Sequence, residues 1–317
     1  RWIIENDWLE AIVALPLNMF YNTGIATYIW VLTNRKPAHR KGKVQLIDAT
    51  QWYKPLRKNL GKKNCELADE DIGRVCETFL AFNETAHSKI FPNAAFGYWK
   101  VTMERPLRLT VALTDPNRAR FRAACVEANE EPLANLADRL AASLGFGPHA
   151  DYNTFLAHVE ADAERHGVKL TAKRLKLLQG GLAQRDETAM PVIKKTHKKG
   201  TAPAPLRGLC AATIDGKPAV VEYEPDPDLR DTEQIPLLEP GGIEAFIRRE
   251  ALPHVPDSWY DPASVKIGYE ISFARYFHKS QPLRSLEDIR ADILALEKET
   301  DGLLGQILGQ ETQRRKA

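Results

Sequence analysis

Short runs of apolar residues near the start of the chain predict buried strands. Residues 9–16 (LEAIVALP) form one such run, which a proline closes. Residues 25–32 (IATYIWVL) are rich in β-branched and aromatic side chains and predict a second buried strand, and residues 43–48 (KVQLID) predict a third. Because no helical pattern separates the three, they predict the antiparallel edge of a mixed sheet.

Periodic apolar positions further along the chain predict helices. Ile72, Val75, Phe79 and Leu80 share one face of a helix over residues 67–82. Residues 97–113 alternate well enough for another strand or hairpin arm. A stretch rich in Ala, Leu, Arg and Glu then runs to about residue 184 and predicts three or four helices, broken by glycines.

Prolines and glycines interrupt the last third of the chain. Residues 194–205, rich in lysine and then in proline, predict a linker. Asp215-Gly216 predicts a hairpin turn. Ser285, with Asp288 three residues later, predicts a capping box at the start of a final helix.

Apolar positions in that final helix, residues 285–309, repeat as a heptad. Such a seam packs onto its own domain or docks on the helices of a partner, and the pattern permits both. The seam residues are Ile289, Ile293, Leu296, Leu303 and Ile307.

Composition indicates a globular protein. The 317 residues are 44% hydrophobic and 27% charged, and they suffice for about two domains. No apolar run is long enough for a membrane span, so no membrane partner is expected. The four cysteines lack metal-ligand spacing, which predicts reduced thiols in a cytoplasmic protein and no metal. The chain opens on Arg1-Trp2 rather than Met, which predicts a fragment that begins inside a domain.

Charge is concentrated locally although the formal net charge is only +2. Between Arg35 and Lys63, ten basic residues stand against Asp48 alone. This bias favours contact with the phosphate backbone of DNA, although an acidic partner protein would be served equally well. The ten residues are Arg35, Lys36, Arg40, Lys41, Lys43, Lys54, Arg57, Lys58, Lys62 and Lys63.

The loop after the first strand carries the sharpest candidate chemistry. Its aromatic residues, Phe20 and Tyr21, either plug the core or stack on a planar ligand at the mouth of the sheet. Enzymes that act on a base in duplex DNA extrude that base, and an aromatic face offsets part of the lost stacking. Asn22, Thr23 and Gly24 are expected to shape the loop, since such residues favour turns.

Longer strings of sequence resemble one protein family. The run LEAIVALPLNMFYNTGIATYIWVLTNRKP, followed by KGKVQLIDATQWYKPLRKNLGKKN, resembles the methylation (M) subunit of type I restriction-modification systems, which are DNA adenine-N6 methyltransferases. The resemblance continues through FPNAAFGYWKVTMERPLRL and resumes at VEYEPDPDLRDTEQIPL, REALPHVPDSWYD, KIGYEISFARYF and LRSLEDIRADILALEKETDGLL. The resemblance covers most of the chain. Residues from about 110 to 215, between these strings, look like a less typical helical insert.

The resemblance implies a target base and a set of partners. In related adenine methyltransferases an aromatic residue at this place packs against the flipped adenine; Phe20 matches best, and Tyr21 is the alternative. The implied partners are duplex DNA, the specificity (S) subunit, a second copy of the M subunit and the restriction (R) subunit. The heptad helix would then dock on the S subunit.

Two motifs of this family do not occur in the 317 residues. These are the Gly-rich turn that binds S-adenosylmethionine and the Asn-Pro-Pro-aromatic motif that holds the adenine amino group. In the family both precede the LPLNMFYNTGI string. The resemblance therefore implies S-adenosylmethionine as cofactor of the full-length enzyme, with its site absent here. The fragment alone is expected to be inactive, and no catalytic residue is predicted in it.

Together, pattern and resemblance predict an α/β protein: the C-terminal strands of a Rossmann-like methyltransferase sheet plus a mainly α-helical C-terminal region. The expected domains are the C-terminal part of the catalytic domain (1–112), a helical insert (113–200) and a tail (201–317) that ends in the partner-binding helix. The predicted function is the C-terminal part of a site-specific DNA adenine-N6 methyltransferase in a type I complex. The alternatives are a non-catalytic DNA- or subunit-binding scaffold and a methyltransferase of another phage-defence system.

Overall fold

The structure, a computed structural model, describes residues 1–214, 216–278 and 285–296, together with Lys298 and Thr300. These residues divide into two units. Unit 1 comprises Arg1–Ile12, Trp30–Gln45 and Ile90–Ile271, and unit 2 comprises Val13–Ile29, Leu46–Lys89 and the described residues from Ser272 onwards.

The described chain consists of short strands and α-helices. The strands are β1 (Leu9–Ala14), β2 (Tyr28–Leu32), β3 (Lys43–Asp48), β4 (Lys54–Leu60), β5 (Lys63–Glu66), β6 (Ser88–Pro92), β7 (Gly97–Glu104), β8 (Leu109–Ala112), β9 (Pro148–His149), β10 (Ala183–Arg185), β11 (Ile193–Thr196), β12 (Cys210–Ile214), β13 (Lys217–Tyr223), β14 (Asp231–Pro236), β15 (Trp259–Tyr260) and β16 (Lys266–Tyr269). The helices are α1 (Trp2–Glu5), α2 (Asp69–Ala81), α3 (Asp115–Glu127), α4 (Glu131–Ala134), α5 (Leu136–Leu144), α6 (Tyr152–Arg165), α7 (Ala172–Leu182), α8 (Gly242–Phe246) and α9 (Phe273–Phe277).

The three strands predicted at the start of the chain belong to one sheet, with the order β2-β1-β3-β6. β1 and β3 run parallel, because Ala49 N donates to Ala14 O (3.0 Å) and Gly42 N donates to the Asp7 carboxylate (2.9 Å) at the same sequence offset. β2 runs antiparallel to β1 at the edge. The sheet is therefore mixed, as predicted, but of the three strands expected to be antiparallel only β2 is, since β1 and β3 are parallel.

The burial predicted for β2 is wrong. β1 is buried along its whole length, whereas β2 is mostly exposed. An edge strand has one neighbour and few covering residues, so its apolar composition does not by itself place it inside.

Asp7 anchors the start of β1 within unit 1. Its carboxylate accepts hydrogen bonds from Lys36 Nζ (2.5 Å), Gly42 N (2.9 Å) and Asn93 Nδ2 (2.8 Å). Burial alone would raise the pKa of Asp7, but these hydrogen bonds outweigh it and hold the pKa below its ordinary value. The backbone before β3 is thereby fixed to the end of α1.

The core of unit 2 forms where β1, β3 and α2 meet. Val13, Leu15 and Ile47 are buried there, and Val75 and Phe79 of α2 pack against them. The helix predicted from the apolar spacing is thus confirmed, but only part of its apolar face lies on the core, because Ile72 and Leu80 are exposed.

Five helices, α3 to α7, enclose the largest core of unit 1. Phe121, Leu133 and Leu136 are fully buried in it. α3 and α7 approach closely, since a Cβ added to Gly181 would lie 2.8 Å from Phe121 Cδ2. The prediction of a helical stretch with glycine breaks is confirmed: α5 ends at Gly145.

Strands return after residue 183, so the expected mainly α-helical C-terminal region is wrong for residues 183–271. β7 pairs with β14, β15 and β16, and β11, β13 and β12 form a three-stranded sheet. The hairpin predicted at Asp215-Gly216 is confirmed by the pairing of Ile214 with Lys217. The predicted linker is wrong at β11, which pairs with β13. Because these strands pair with partners that are distant in sequence, the local pattern of apolar residues did not predict them.

The domain boundaries expected at residues 112 and 200 stay predictions.

Within the segments described, no helix is both long and apolar enough to cross a bilayer.

Candidate functional site

Two asparagines set the course of the loop that follows β1. Asn18 and Asn22 have left-handed backbone conformations, with φ of 58° and 55°, which asparagine tolerates better than most residues. Thr23 N donates a hydrogen bond to Phe20 O at 3.3 Å, which closes a turn. Phe20 and Tyr21 are thus presented at the tip of a defined loop.

The hairpin of β4 and β5 packs against this loop in unit 2. Asn64 N donates to Asn18 O at 3.1 Å, and Cys65 Sγ donates to Leu17 O at 3.2 Å. Burial raises the pKa of the Cys65 thiol, so it remains a neutral donor.

The turn of the hairpin meets the aromatic part of the loop. A Cβ added to Gly61, whose φ is 60°, would lie 2.6 Å from Asn22 Oδ1 and 3.1 Å from Tyr21 Cε2. Lys62 Cδ lies 3.7 Å from the place of a Cβ on Gly24. The structure therefore brings the predicted loop residues and the second half of the basic set together.

Replacement of Gly61 by Ala is expected to destabilise unit 2 and displace the loop. The left-handed φ costs a non-glycine residue about 1–2 kcal/mol, and the collision with Asn22 adds about 1–3 kcal/mol. Gly167→Ala is the matched control, because Gly167 has φ of 64° and open space around its Cβ position. Denaturant unfolding and hydrogen exchange of residues 17–24 measure the difference; equal losses in both variants would show that the loop does not rest on the hairpin.

A cleft of about 450 Å³ lies beside the loop in unit 2. It forms where β1 and β3 end side by side, and ends of parallel strands are a common place for ligand sites. Asp48 holds the residues after β3 by accepting hydrogen bonds from Thr50 N (3.1 Å) and Thr50 Oγ1 (2.6 Å). The lining residues are Ala14, Leu15, Leu17, Asn18, Ala26, Tyr28, Thr50, Gln51, Tyr53 and Asn64.

The wall of this cleft combines aromatic and amide side chains. Tyr28 and Tyr53 offer ring faces, and the amides of Asn18, Gln51 and Asn64 offer both donors and acceptors. Carboxylate, lysine and histidine side chains are not among its lining residues in the described chain. Such a wall suits a neutral, planar ligand with hydrogen-bonding edges.

The predicted stacking residues lie on the loop and outside the cleft wall. Phe20 is 47% exposed and Tyr21 is 67% exposed, so the alternative in which they plug the core is wrong. Sequence reasoning missed Tyr28, which lines the cleft and whose ring centroid lies 5.1 Å from that of Phe273. Phe273 in turn stacks on Phe277 at 5.6 Å. The string KIGYEISFARYF, which contains Phe273 and Phe277 and resembles the same family, is the part of the sequence that could have pointed to this contact.

The ten predicted DNA-backbone residues divide between the units. The five from Arg35 to Lys43 lie in unit 1, and the five from Lys54 to Lys63 lie in the hairpin of unit 2. Eight of the ten side chains are exposed at least in part.

The other two, Lys36 and Arg40, are buried, and their assignment to the DNA backbone is wrong. Lys36 is 7% exposed and bonds to Asp7 at 2.5 Å, and Arg40, 3% exposed, lies 3.4 Å from Glu10. Because the fold itself neutralises these charges, they are not available to a phosphate. A run of charge along the chain does not report which side chains turn inward.

The final helix is described up to residue 296 and begins as predicted. Asp288 N donates to Ser285 Oγ at 3.1 Å, which is the capping contact. Ile289, Ile293 and Leu296 are exposed. The remaining seam residues, Leu303 and Ile307, lie outside the described residues.

Acidic, histidine and cysteine side chains are the usual metal ligands in proteins. The described residues contain no cluster of three that could hold an ion.

The part of the chain that carries this site is similar to a family of DNA-modifying proteins. Residues 1–96, which contain the loop, the hairpin and the cleft wall up to Asn64, match the family described as N-6 DNA Methylase.

Two type I methylase subunits are similar to a segment of this chain. A type I restriction enzyme methylase subunit of Methanocaldococcus jannaschii, MjaIX, is 37% identical over 82 residues, which are 25% of this chain and 14% of the relative. The MjaVIII methylase subunit of the same organism is 33% identical over 81 residues, 26% of this chain and 14% of the relative. The resemblance to type I methylation subunits is thus confirmed over about a quarter of this chain, and the matched segment is about a seventh of the length of these relatives.

One solved structure shows a more limited likeness. The type I restriction-modification system methyltransferase subunit from Streptococcus thermophilus is 19% identical, with a TM-score of 0.25, over 30% of this chain and 19% of that one. A superposition this small carries no argument about the fold.

Proposed function

We propose that this chain is part of a DNA adenine-N6 methyltransferase that works as the methylation subunit of a type I restriction-modification complex. The single observation that carries the proposal is the match of residues 1–96 to the N-6 DNA Methylase family. The identity to two type I methylase subunits and the neutral, aromatic cleft support it.

The four-stranded sheet is proposed to be the C-terminal part of a Rossmann-like sheet. Its central strands, β1 and β3, run parallel and are buried, as in doubly wound folds. β2 exposes Tyr28, Ile29 and Trp30, and natural proteins cover an apolar edge of this kind. In the complete enzyme, β2 would pack against the part of the catalytic domain that holds the cofactor.

The cleft is proposed to receive the flipped adenine. The amides of Asn18 and Asn64 would bond to the edges of the base, and Phe20 would close over its face from the loop. The amides and aromatic rings of the lining would bind and orient the base.

S-adenosylmethionine supplies the methyl group in this class of enzyme. Its sulfonium is a cation and its ribose usually bonds to a carboxylate, whereas the cleft has no carboxylate among its lining residues. The residues of this cleft therefore do not fit the cofactor.

DNA and protein partners are proposed from exposed groups. Lys54, Arg57, Lys58 and Lys62 of the hairpin, next to the loop, would hold the backbone of the strand that carries the target base. The exposed seam of the final helix would dock on the specificity subunit, with a second methylation subunit and the restriction subunit completing the complex.

The test is methyl transfer from labelled S-adenosylmethionine to duplex DNA, with the product nucleosides separated. The polypeptide encoded by the intact gene, together with its specificity subunit, is expected to form N6-methyladenine, and the 317-residue chain alone is expected to form none. Methylation of cytosine, or no transfer by the complete complex, would overturn the proposal.

A further inference from the structure

A small sheet of unit 1 carries lysines that the proposed function does not use. β11, β13 and β12 lie side by side in this order, and the turn after β11 continues the pairing, since His197 N donates to Val220 O at 2.9 Å. Lys198 and Lys199 follow in that turn, and Lys217 begins β13. The structure therefore places the three lysines at one end of a defined sheet, where the sequence had predicted a linker for two of them.

These three lysines line one open cleft of about 590 Å³. The turn that carries two of them is held by Thr201, whose N (3.2 Å) and Oγ1 (2.9 Å) both donate to Lys198 O. Gly200 supplies the left-handed conformation that the turn needs, with φ of 96°. Pro203, Pro218 and neighbouring small residues form the rest of the wall, which contains no carboxylate among its described residues.

Ion pairing distinguishes these lysines from the arginines of the same unit. Arg105 and Arg108 share Asp257, each at 3.2 Å, and Arg185 lies 2.9 Å from Asp226. Within the described residues, none of the three lysines has a carboxylate partner. Glu222, an acid of β13, bonds to His197 at 2.5 Å.

Like charges gathered together raise the local potential and attract an anion. Lysine binds phosphate as a point charge and needs no fixed fork geometry. Duplex DNA presents one negative charge per roughly 1.7 Å of its axis, so it engages several lysines at once. His197 and Val220 also line the wall, but its described residues include no Trp, Tyr or Arg of the kind that dominates protein–protein contacts.

We propose that the cleft at Lys198, Lys199 and Lys217 is a second contact for the phosphate backbone of duplex DNA, separate from the basic hairpin of unit 2. It lies outside residues 1–96, which match the methylase family. The identity of the polyanion rests on the proposed function. The charge and the geometry of the cleft do not.

The experiment measures the affinity of the 317-residue chain for a labelled, mixed-sequence duplex over a series of salt concentrations. In the triple variant K198Q/K199Q/K217Q, the slope of log affinity against log salt is expected to fall by about 2.7, at about 0.9 per lost phosphate contact. If the lines of variant and wild type meet near 1 M salt, affinity at about 0.1 M falls on the order of 500-fold.

Two further variants make the result specific to this cleft. K169Q/K176Q/K266Q removes three exposed lysines elsewhere in unit 1 and is expected to leave the slope unchanged. K198R/K199R/K217R keeps the charge and is expected to keep the wild-type slope. Unfolding midpoints of all variants confirm that the fold is intact.

An unchanged slope in K198Q/K199Q/K217Q overturns this inference, and so does an equal fall in the K169Q/K176Q/K266Q control. DNA binding is measured without S-adenosylmethionine, so the outcome is independent of methyl transfer. If the slope falls as expected but the complete complex transfers no methyl group to adenine, the contact stands and the proposed function fails.

Discussion

Replacement of Phe20 by Ala in the complete methylation subunit is expected to slow adenine methylation about 5- to 150-fold. Stacking of a base on an aromatic ring contributes about 1–3 kcal/mol, and about 1.4 kcal/mol corresponds to a factor of ten in rate. Phe20 is available for such stacking, because it is half exposed at the tip of the loop and has no ring contact within the described chain. The measurement is the initial rate of N6-methyladenine formation.

The affinity for S-adenosylmethionine is the first control for this prediction, and it is expected to stay within about twofold of wild type, since about twofold corresponds to less than 0.5 kcal/mol. Tyr21→Ala is the second control. Tyr21 lies against the hairpin turn at Gly61, so its loss is expected to loosen the loop and cost less activity. Phe20→Tyr should retain most of the rate, since it keeps the ring. Full activity of Phe20→Ala together with a large loss in Tyr21→Ala would transfer the stacking role to Tyr21.

The apolar pattern predicted those parts of the fold whose contacts are close in sequence. β1 and β3 have apolar residues at buried positions, and α2 packs Val75 and Phe79 against them. The pattern fails where the partner is remote: β7 pairs with β14, β15 and β16, which follow it by more than a hundred residues. It fails also at β2, whose apolar side chains are exposed at the edge of the sheet.

The candidate site was predictable to the extent that it lies in one continuous loop. Residues 20–24 could be singled out because the resemblance falls on that string. Tyr28 and Asn64 could not, since the cleft is assembled from the ends of two strands and from a hairpin that folds back on them. The charge of Arg40 led to the wrong prediction of a DNA contact. Whether a charged side chain is buried depends on which residues the fold places opposite it, and the local sequence does not show this.

Arg40 yields the second large prediction, which concerns stability. Replacement of Arg40 by Met is expected to lower the free energy of unfolding by about 3–5 kcal/mol, because it leaves the Glu10 carboxylate buried without its cation. Glu10 is 8% exposed and lies 3.4 Å from Arg40 Nε. Lys41→Met is the matched control: this neighbouring side chain is exposed, and its loss is expected to change stability by less than about 0.5 kcal/mol. Denaturant unfolding measures both variants.

A double variant separates loss of charge from loss of packing. Joint replacement, Glu10→Leu with Arg40→Met, removes the buried charge and should recover most of the stability. A deficit that persists in the double variant would mean that Arg40 acts by filling space and by its hydrogen bond to Gln45 (3.2 Å). Either result leaves Arg40 inside the fold and unavailable to DNA.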